Sequence, residues 1–282
     1  MKVFTTTNSI KQTLSKEMFY NKTIGFVPTM GALHEGHLAL VKSAKKDCDI
    51  VVCSIFINPT QFNNVIDLEN YPVTIKKDIK LLEENFCDVL FLPKTTEMYP
   101  IGLVTKQYDL NGIDKLLEGR KRPGHFDGVC TIVHKLFSII QPNMAYFGEK
   151  DFQQVAIIKQ LVNHLSLDIQ IKTINTVREK NGLAKSSRNT LLNEEQRKKA
   201  SYIYTSLKKI KTLFGKLDCT QIIEIIKDDI QKVNGMHLDY LEIVDRHSFS
   251  PLKDQNNNEN AIALIAVFLG DVRLIDNLSL ND

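Results

Sequence analysis

Over the first 175 residues, continuous apolar runs alternate with segments whose apolar positions recur every three or four residues. TIGFVPTM (23–30) is β-rich and breaks at Gly31. From Gly36 onward Leu38, Val41 and Ala44 recur at helical spacing. DIVVCSIFIN (49–58) is apolar and β-branched throughout, as expected of a strand covered on both faces of a parallel sheet. Ile75, Ile79, Leu82 and Phe86 predict one face of a helix, and DVLFL (88–92) a short strand. Val129, Ile132, Val133, Leu136, Phe137 and Ile140 predict another helix, stopped by Pro142. MAYFG (144–148) reads as a strand, DFQQVAIIKQLVNHL (151–165) as a helix and DIQIKTINTV (168–177) as a strand. This alternation predicts an α/β fold, a Rossmann-like doubly wound parallel sheet with right-handed crossovers. Ligands of such sheets sit at the carboxyl ends of the strands.

After Val177 the pattern changes. REKNGLAKSSRN (178–189) is polar and reads as a loop, and helices are predicted over 193–214 and 218–233. HLDYLEIVD (237–245), AIALIAVFLG (261–270) and DVRLIDNLSL (271–280) read as strands, with DQNNNEN (254–260) a polar turn or loop. Helices followed by a run of strands predict a second, smaller α+β domain. The expected division is 1–176 and 177–282.

Composition narrows the function little. Of 282 residues, 43% are apolar and 24% charged, with a net charge of +3. That charge is too mild to argue for a nucleic-acid partner and suits a small anionic ligand. The five cysteines are odd in number, lack any CxxC and sit mostly in apolar strings, which predicts buried, reduced thiols. The N-terminus has no signal-peptide pattern, and no stretch approaches the length of a membrane span. A cytoplasmic protein is expected.

The chemistry begins at VPTMGALHEGH (27–37). His34 and His37 follow a predicted buried strand and bracket a helix start, where the positive helix end favours an anion. Gly31 lets the turn pass close to a ligand, as does Gly36 in the first helical turn. Histidines one turn apart can donate hydrogen bonds to charge developing on a phosphate. Zinc is disfavoured, because the zincin pattern places its histidines four apart around a glutamate and here the spacing is three. Some 150 residues later KNGLAKSSRN gathers Lys180, Lys185, Ser186, Ser187 and Arg188 around a glycine, a set suited to polyphosphate. A histidine turn at the first predicted strand and a cationic, Ser-rich loop after the last are the paired signatures of HIGH/KMSKS nucleotidyltransferases. Their reaction is attack on the α-phosphate of ATP with pyrophosphate leaving.

VPTMGALHEGH, FINPTQF, RPGHFDGV, FGEKDFQQ and GLAKSSRN, in this order and spacing, resemble the pantoate–β-alanine ligase family over most of residues 23–190. The resemblance implies a Rossmann-like N-terminal domain, a smaller C-terminal lid and a homodimer. It implies ATP and Mg²⁺, and two steps. Pantoate attacks ATP to give pantoyl adenylate, and the β-alanine amine then displaces AMP.

Matching motif to motif, the resemblance implies ATP contacts from Met30, Gly31, Ala32, Leu33, His34, Glu35, Gly36 and His37, with His37 as proton donor. It adds Gly148, Glu149, Lys150 and Asp151 at a strand-to-helix passage, then Val177, Lys185, Ser186, Ser187 and Arg188. His34, His37, Lys150 and Arg188 are the implied catalytic set. Gln61 and Gln154 are the implied pantoate glutamines, with Asn58 and His125 beside them. A neutral amide suits that task, since it both donates and accepts without repelling a carboxylate. No protein ligand to a metal is implied.

Two departures stand out. Lys185 replaces the usual Met of MSSRN, which adds a cation if the position serves through its backbone. In NYPVTIKKD (70–78) Val73 replaces an Arg, and Lys76 and Lys77 precede a lone Asp78, so no family carboxylate role in metal or lid positioning is carried onto this segment. The other readings are a cytidylyltransferase-like or NMN-adenylyltransferase-like enzyme, which gives no reason for Gln61 and Gln154 together, and an ATP-binding protein without activity, against which the histidine pair and Arg188 argue. A dinucleotide oxidoreductase is disfavoured by the lack of G-x-G-x-x-G after the first strand.

Overall fold

The computed structural model describes residues 1–252 and 259–281, so that most of the polar segment expected at 254–260 lies outside the described residues. The chain divides into two compact units, Met1–Glu149 with Gln153–Asn175, and Lys150–Phe152 with Thr176–Asp282.

The larger unit is built on a six-stranded parallel sheet. Its strands are β1 (Lys2–Phe4), β2 (Ile24–Thr29), β3 (Ile50–Ile55), β4 (Val89–Phe91), β5 (Met144–Gly148) and β6 (Gln170–Ile174), in the order β1-β4-β3-β2-β5-β6. The chain runs outward from β2 through β3 to β4, then returns to the other side of β2 with β5. The switch point of the sheet therefore lies between β2 and β5, where doubly wound folds open a binding crevice. Pro28 sharpens it. Ile24 turns its carbonyl to the β5 side, accepting from the Asn143 N–H, while Thr29 turns its carbonyl toward β3. By alternation Pro28 faces β5, where proline has no N–H to give. The β2–β5 pairing stops at Phe26, two residues earlier. Val27, Val51, Cys53, Ile55 and Leu90 of the central strands are buried against Leu40, Val41 and Ala44 of helix Glu35–Asp47.

The smaller unit is an antiparallel three-stranded sheet, β7 (Met236–Asp245), β8 (Ala261–Leu269) and β9 (Val272–Ser279), in the order β7-β8-β9. Helices Tyr202–Leu213 and Cys219–Gln231 supply Ile203, Leu207, Ile210, Ile222 and Ile226 to a core shared with Ile243, Ala263 and Ile265. The α/β class with a small α+β unit is what the alternation predicted.

Details differ from expectation. Pattern gave nothing before residue 23, yet β1 pairs with β4, and helix Thr7–Phe19 starts at Thr6, whose side chain accepts from the Ser9 N–H. The helix expected over 193–214 is two, Glu194–Ala200 and Tyr202–Leu213. The break falls at Ser201, whose hydroxyl donates to the Lys198 carbonyl. Phe86 does not join the apolar face with Ile75, Ile79 and Leu82. It lies beyond helix Ile75–Glu84, with φ +59°, and is 73% exposed.

Candidate active site

β2 delivers the chain to the histidine turn at the switch point. Gly31 (φ +84°) and Ala32 (φ +48°) are both left-handed, and alanine adopts that conformation at a cost of about 1–2 kcal/mol. A buried carboxylate holds the turn. Asp78, in the first turn of helix Ile75–Glu84, is fully buried and accepts the N–H groups of Ala32 at 3.0 Å and Leu33 at 2.8 Å. The Thr74 hydroxyl donates to the same carboxylate at 3.0 Å. The sequence motifs assign Asp78 no role. One signal was there: it stands three residues after Ile75 and four before Leu82, on the apolar face, where an acid must be buried and satisfied.

His34 caps helix Glu35–Asp47, its Nδ1 accepting the Gly36 N–H at 3.1 Å. The His34 N–H in turn donates to His37 Nδ1 at 3.4 Å, and the two ring centroids are 4.1 Å apart. Both Nδ1 atoms are thus acceptors, so each neutral ring carries its proton on Nε2. The helix start fixes the tautomer that makes Nε2 the proton donor. Among the described residues no three His, Cys, Asp or Glu side chains cluster as a metal site.

One strand over, β3 leads into the 3₁₀ turn Pro59–Gln61. Asn58, buried, donates from Nδ2 to Gln61 Oε1 and to the Gly128 carbonyl, each at 3.1 Å. Its Oδ1 accepts from Tyr99 Oη at 2.7 Å and Thr60 Oγ1 at 3.0 Å. Burial pushes the Tyr99 phenol above its usual range, which keeps it a donor. The Gln61 amide is therefore turned with its oxygen to Asn58 and its NH₂ outward, 3.1 Å from Met30 Sδ. His125, a binding residue by resemblance, supports Gln61 from behind. Its Nδ1 donates to the Gln61 carbonyl at 2.8 Å, while Arg122 reaches its Nε2 at 3.2 Å. Gly128 is required here, since a Cβ would stand 2.3 Å from the Thr60 carbonyl oxygen.

Gly148 ends β5 at the same edge of the sheet, and Glu149 opens the 3₁₀ turn that follows. Of the glutamines that follow, Gln153 is buried and structural, bonding the Glu118 N–H and the carbonyls of Ile113 and Leu116. Gln154 is half-buried on the same helix.

The smaller unit holds the remaining expected residues. Lys150 Nζ is 3.4 Å from Asp151 Oδ1, and the Lys150 carbonyl accepts from Asn277 Nδ2 at 2.9 Å. The Lys185 N–H donates to the Val177 carbonyl at 2.8 Å, a backbone contact that either Met or Lys can make. Ser186 caps the turn Ser187–Leu191, its Oγ accepting the Arg188 N–H at 3.3 Å. The loop is braced both from outside the sequence motifs and from within them. Arg178 pairs with Asp276 through contacts of 2.6 and 3.0 Å, and donates to the carbonyls of Gly182 and Asn277. Its guanidinium lies 3.9 Å from the Tyr204 ring centre. Asn189 Nδ2 donates to the Ala184 carbonyl at 3.0 Å.

This architecture has known counterparts. The model of the pantoate–β-alanine ligase family matches residues 2–279. A pantothenate synthetase of Fervidobacterium nodosum is 45% identical over the whole of both chains, and one of Porphyromonas gingivalis 41% identical over the same extent. The crystal structure of pantothenate synthetase from Thermus thermophilus superposes with a TM-score of 0.92 at 38% identity, covering all of both chains. That of the Francisella tularensis pantoate–β-alanine ligase, complexed with β-γ ATP and β-alanine, has a TM-score of 0.85 at 38% identity, covering all of this chain and 98% of its own. The chain belongs to the pantoate–β-alanine ligase family.

Proposed function

We propose that the protein condenses pantoate with β-alanine, driven by ATP, in two steps on one site. In the first, a pantoate carboxylate oxygen attacks the α-phosphorus of ATP and the bond to pyrophosphate breaks. In the second, the neutral β-alanine amine attacks the acyl carbon of pantoyl adenylate, the single bond from that carbon to the bridging phosphate oxygen breaks, AMP leaves with its electron pair, and the amine gives up a proton to solvent. His37, with His34 stacked against it, donates from Nε2 to the charge building on the phosphate oxygens. Lys150, Ser186, Ser187 and Arg188 act on the same triphosphate, with the smaller unit as lid. Ala32, Leu33, Glu35, Gly36, Gly148, Glu149, Asp151, Val177 and Lys185 complete the lining of the nucleotide site. Gln61 offers its NH₂ to pantoate, and Gln154 takes the other side of the acid. Asn58 and His125 hold Gln61 in place.

MgATP is the substrate form. Mg²⁺ keeps several waters and leans on phosphate oxygens, so it needs no dedicated protein cage. No described helix is long and apolar enough to cross a membrane. Five buried free thiols suit a reducing, cytoplasmic setting. Cys87, pushed up to about 12 by burial, is an inert thiol. A homodimer belongs to the same reading, through the resemblance to the family.

One observation carries the reading. At the carboxyl edge of one sheet, a histidine turn that presents Nε2 protons stands beside a glutamine amide fixed as a donor, the two linked by the Met30–Gln61 contact. The test is ATP–pyrophosphate exchange. Exchange is expected with pantoate alone, and AMP release only once β-alanine is added. No exchange with pantoate, but turnover of a phosphorylated alcohol, would replace the reading with nucleotidyl transfer. His37→Ala is expected to slow exchange about 10²–10³-fold, with ATP binding changed only a few-fold.

A further inference from the structure

The geometry points to Asp78 as a positioning residue for catalysis: its buried carboxylate sets the left-handed turn that aims His34 and His37. This rests on the proposal that the histidines serve adenylyl transfer. The turn is strained. Two consecutive left-handed residues, one of them Ala32, do not persist unless the surroundings over-determine them. The Thr29 hydroxyl accepts the Gly31 N–H at 3.2 Å, and Asp78 takes the two amides that follow. Asp78 Oδ2 takes the Ala32 N–H and Oδ1 takes the Leu33 N–H, so successive amides converge on one anion as in a backbone nest. The carboxylate also lies directly under Gly31, where a Cβ would come within 3.2 Å of Oδ2. Leu33 is followed at once by the His34 cap, whose N–H locks His37. A change in the direction of the Ala32 and Leu33 amides therefore reaches both imidazoles within two residues. The donors to Asp78 are all neutral groups, two amides and the Thr74 hydroxyl. The carboxylate is thus fitted to this backbone rather than to a cation.

Asp78→Asn keeps the volume and turns one of the two acceptor oxygens into an NH₂ facing an N–H. The expected result is a fall of about 100-fold in the kcat of pantoate-dependent exchange, the size of effect that an ångström-scale misplacement produces. KM for ATP and pantoate should stay within about three-fold. Leu82→Ala is the control for mere structure. Leu82 is fully buried on the same helix and touches none of these hydrogen bonds, so it should lower the melting temperature at least as much while leaving kcat near wild type. Histidine side-chain ¹⁵N spectra give a readout that needs no substrate. In the wild type both rings should carry the proton on Nε2, and in Asp78→Asn the tautomers should mix. If the single variant fails to fold, Asp78→Asn with Ala32→Gly, which removes the cost of the left-handed alanine, carries the same measurements. Unchanged exchange and unchanged tautomers in the variant would overturn the proposal. So would a loss of kcat in Leu82→Ala equal to that in Asp78→Asn. Absence of exchange in the wild type would instead overturn the functional reading, and the tautomer shift would still stand or fall on its own.

Discussion

The histidine turn and the cationic loop, each proposed to bind phosphate, both hold irregular backbone, and they do so with opposite charges. In the turn, a buried anion, Asp78, consumes two backbone N–H groups. In the loop, a half-buried cation, Arg178, consumes a backbone carbonyl of the loop, Gly182, and one of β9, Asn277. The difference follows from what each must present. The turn directs its amides inward, so anion binding there falls to imidazole Nε2 and the helix end. The loop directs its carbonyls inward, which keeps acceptor oxygens away from the anion and leaves the recognition to Lys, Ser and Arg. The two braces also differ in cost. Asp78 is satisfied by dipoles alone, whereas Arg178 needs Asp276 as a bidentate partner and Tyr204 as a face to lie on.

That difference is broken most severely at Arg178. Arg178→Ala leaves Asp276, 4% exposed, as an uncompensated buried charge. The expected cost is about 3–5 kcal/mol of stability in the smaller unit, seen as a lower denaturation midpoint. Replacing both partners together, Arg178→Met with Asp276→Leu, should recover most of that stability, because the pair is worth little against well-packed apolar groups. It should not recover ATP binding, since the Gly182 and Asn277 carbonyls lose their donor. A single variant costing under about 1 kcal/mol would show that the pair is decoration on a loop held by other means.

The corresponding insult to the turn is smaller. Gly31→Ala places a Cβ 3.1 Å from Ile55 Cγ2 and 3.2 Å from Asp78 Oδ2, at a φ of +84° that alanine avoids. About 1–3 kcal/mol of destabilisation is expected, from strain and crowding together. Exchange activity should fall further than that loss of stability explains, because the carboxylate must shift to make room. Wild-type exchange in a folded Gly31→Ala protein would mean that the turn tolerates displacement and that its brace is not tuned.

What the sequence made legible divides along the same line. The central strands could be read because burial on both faces leaves an unbroken apolar run, as in IVVCSIF. The site motifs could be read because each is local: the two histidines, the NPTQ turn and the SSRN loop act within a few residues of themselves. The braces are not local. Asp78 bonds residues 45 and 46 positions away, Asn58 reaches Gly128 across 70, and Arg178 meets Asp276 across 98. Pattern can say that an acid on an apolar face must be satisfied, but not by which amide. β1 was missed because three residues carry no period, and the break at Ser201 because a serine bonding back to its own helix leaves the apolar spacing intact. The adjacent glutamines show the limit in miniature: pattern cannot tell that Gln153 is the buried strut and Gln154 the half-buried neighbour.

The weakest brace of the loop sharpens the comparison through pH. Glu179 lies outside the Arg178 pair, and Arg197 holds it by contacts of 2.6 and 3.1 Å. The hydrogen bond from Arg197 holds the Glu179 carboxyl below the usual carboxylate range, with Lys185 and Asn189 adding smaller pulls. A depressed carboxyl pKa contributes stability that is fully present above the unfolded value, about 4.3, and is lost as pH falls through the lower folded value. Arg197 is nearly half exposed, so solvent screens the pair and the contribution is small, about 0.5–1 kcal/mol. The stability difference between wild type and Arg197→Ala should therefore be flat from about pH 7 to pH 6, shrink once pH falls below about 4.3, and vanish only after pH has passed through the lower folded value. It should shrink in about 1 M salt, where the screening length falls to about 3 Å. The contacts Asp78 makes to the histidine turn are buried hydrogen bonds from neutral donors, so Gly31→Ala should show a stability loss that depends little on salt. A salt-insensitive Arg197→Ala difference would place Glu179 with the buried braces and erase the distinction between an inner and an outer support of the loop.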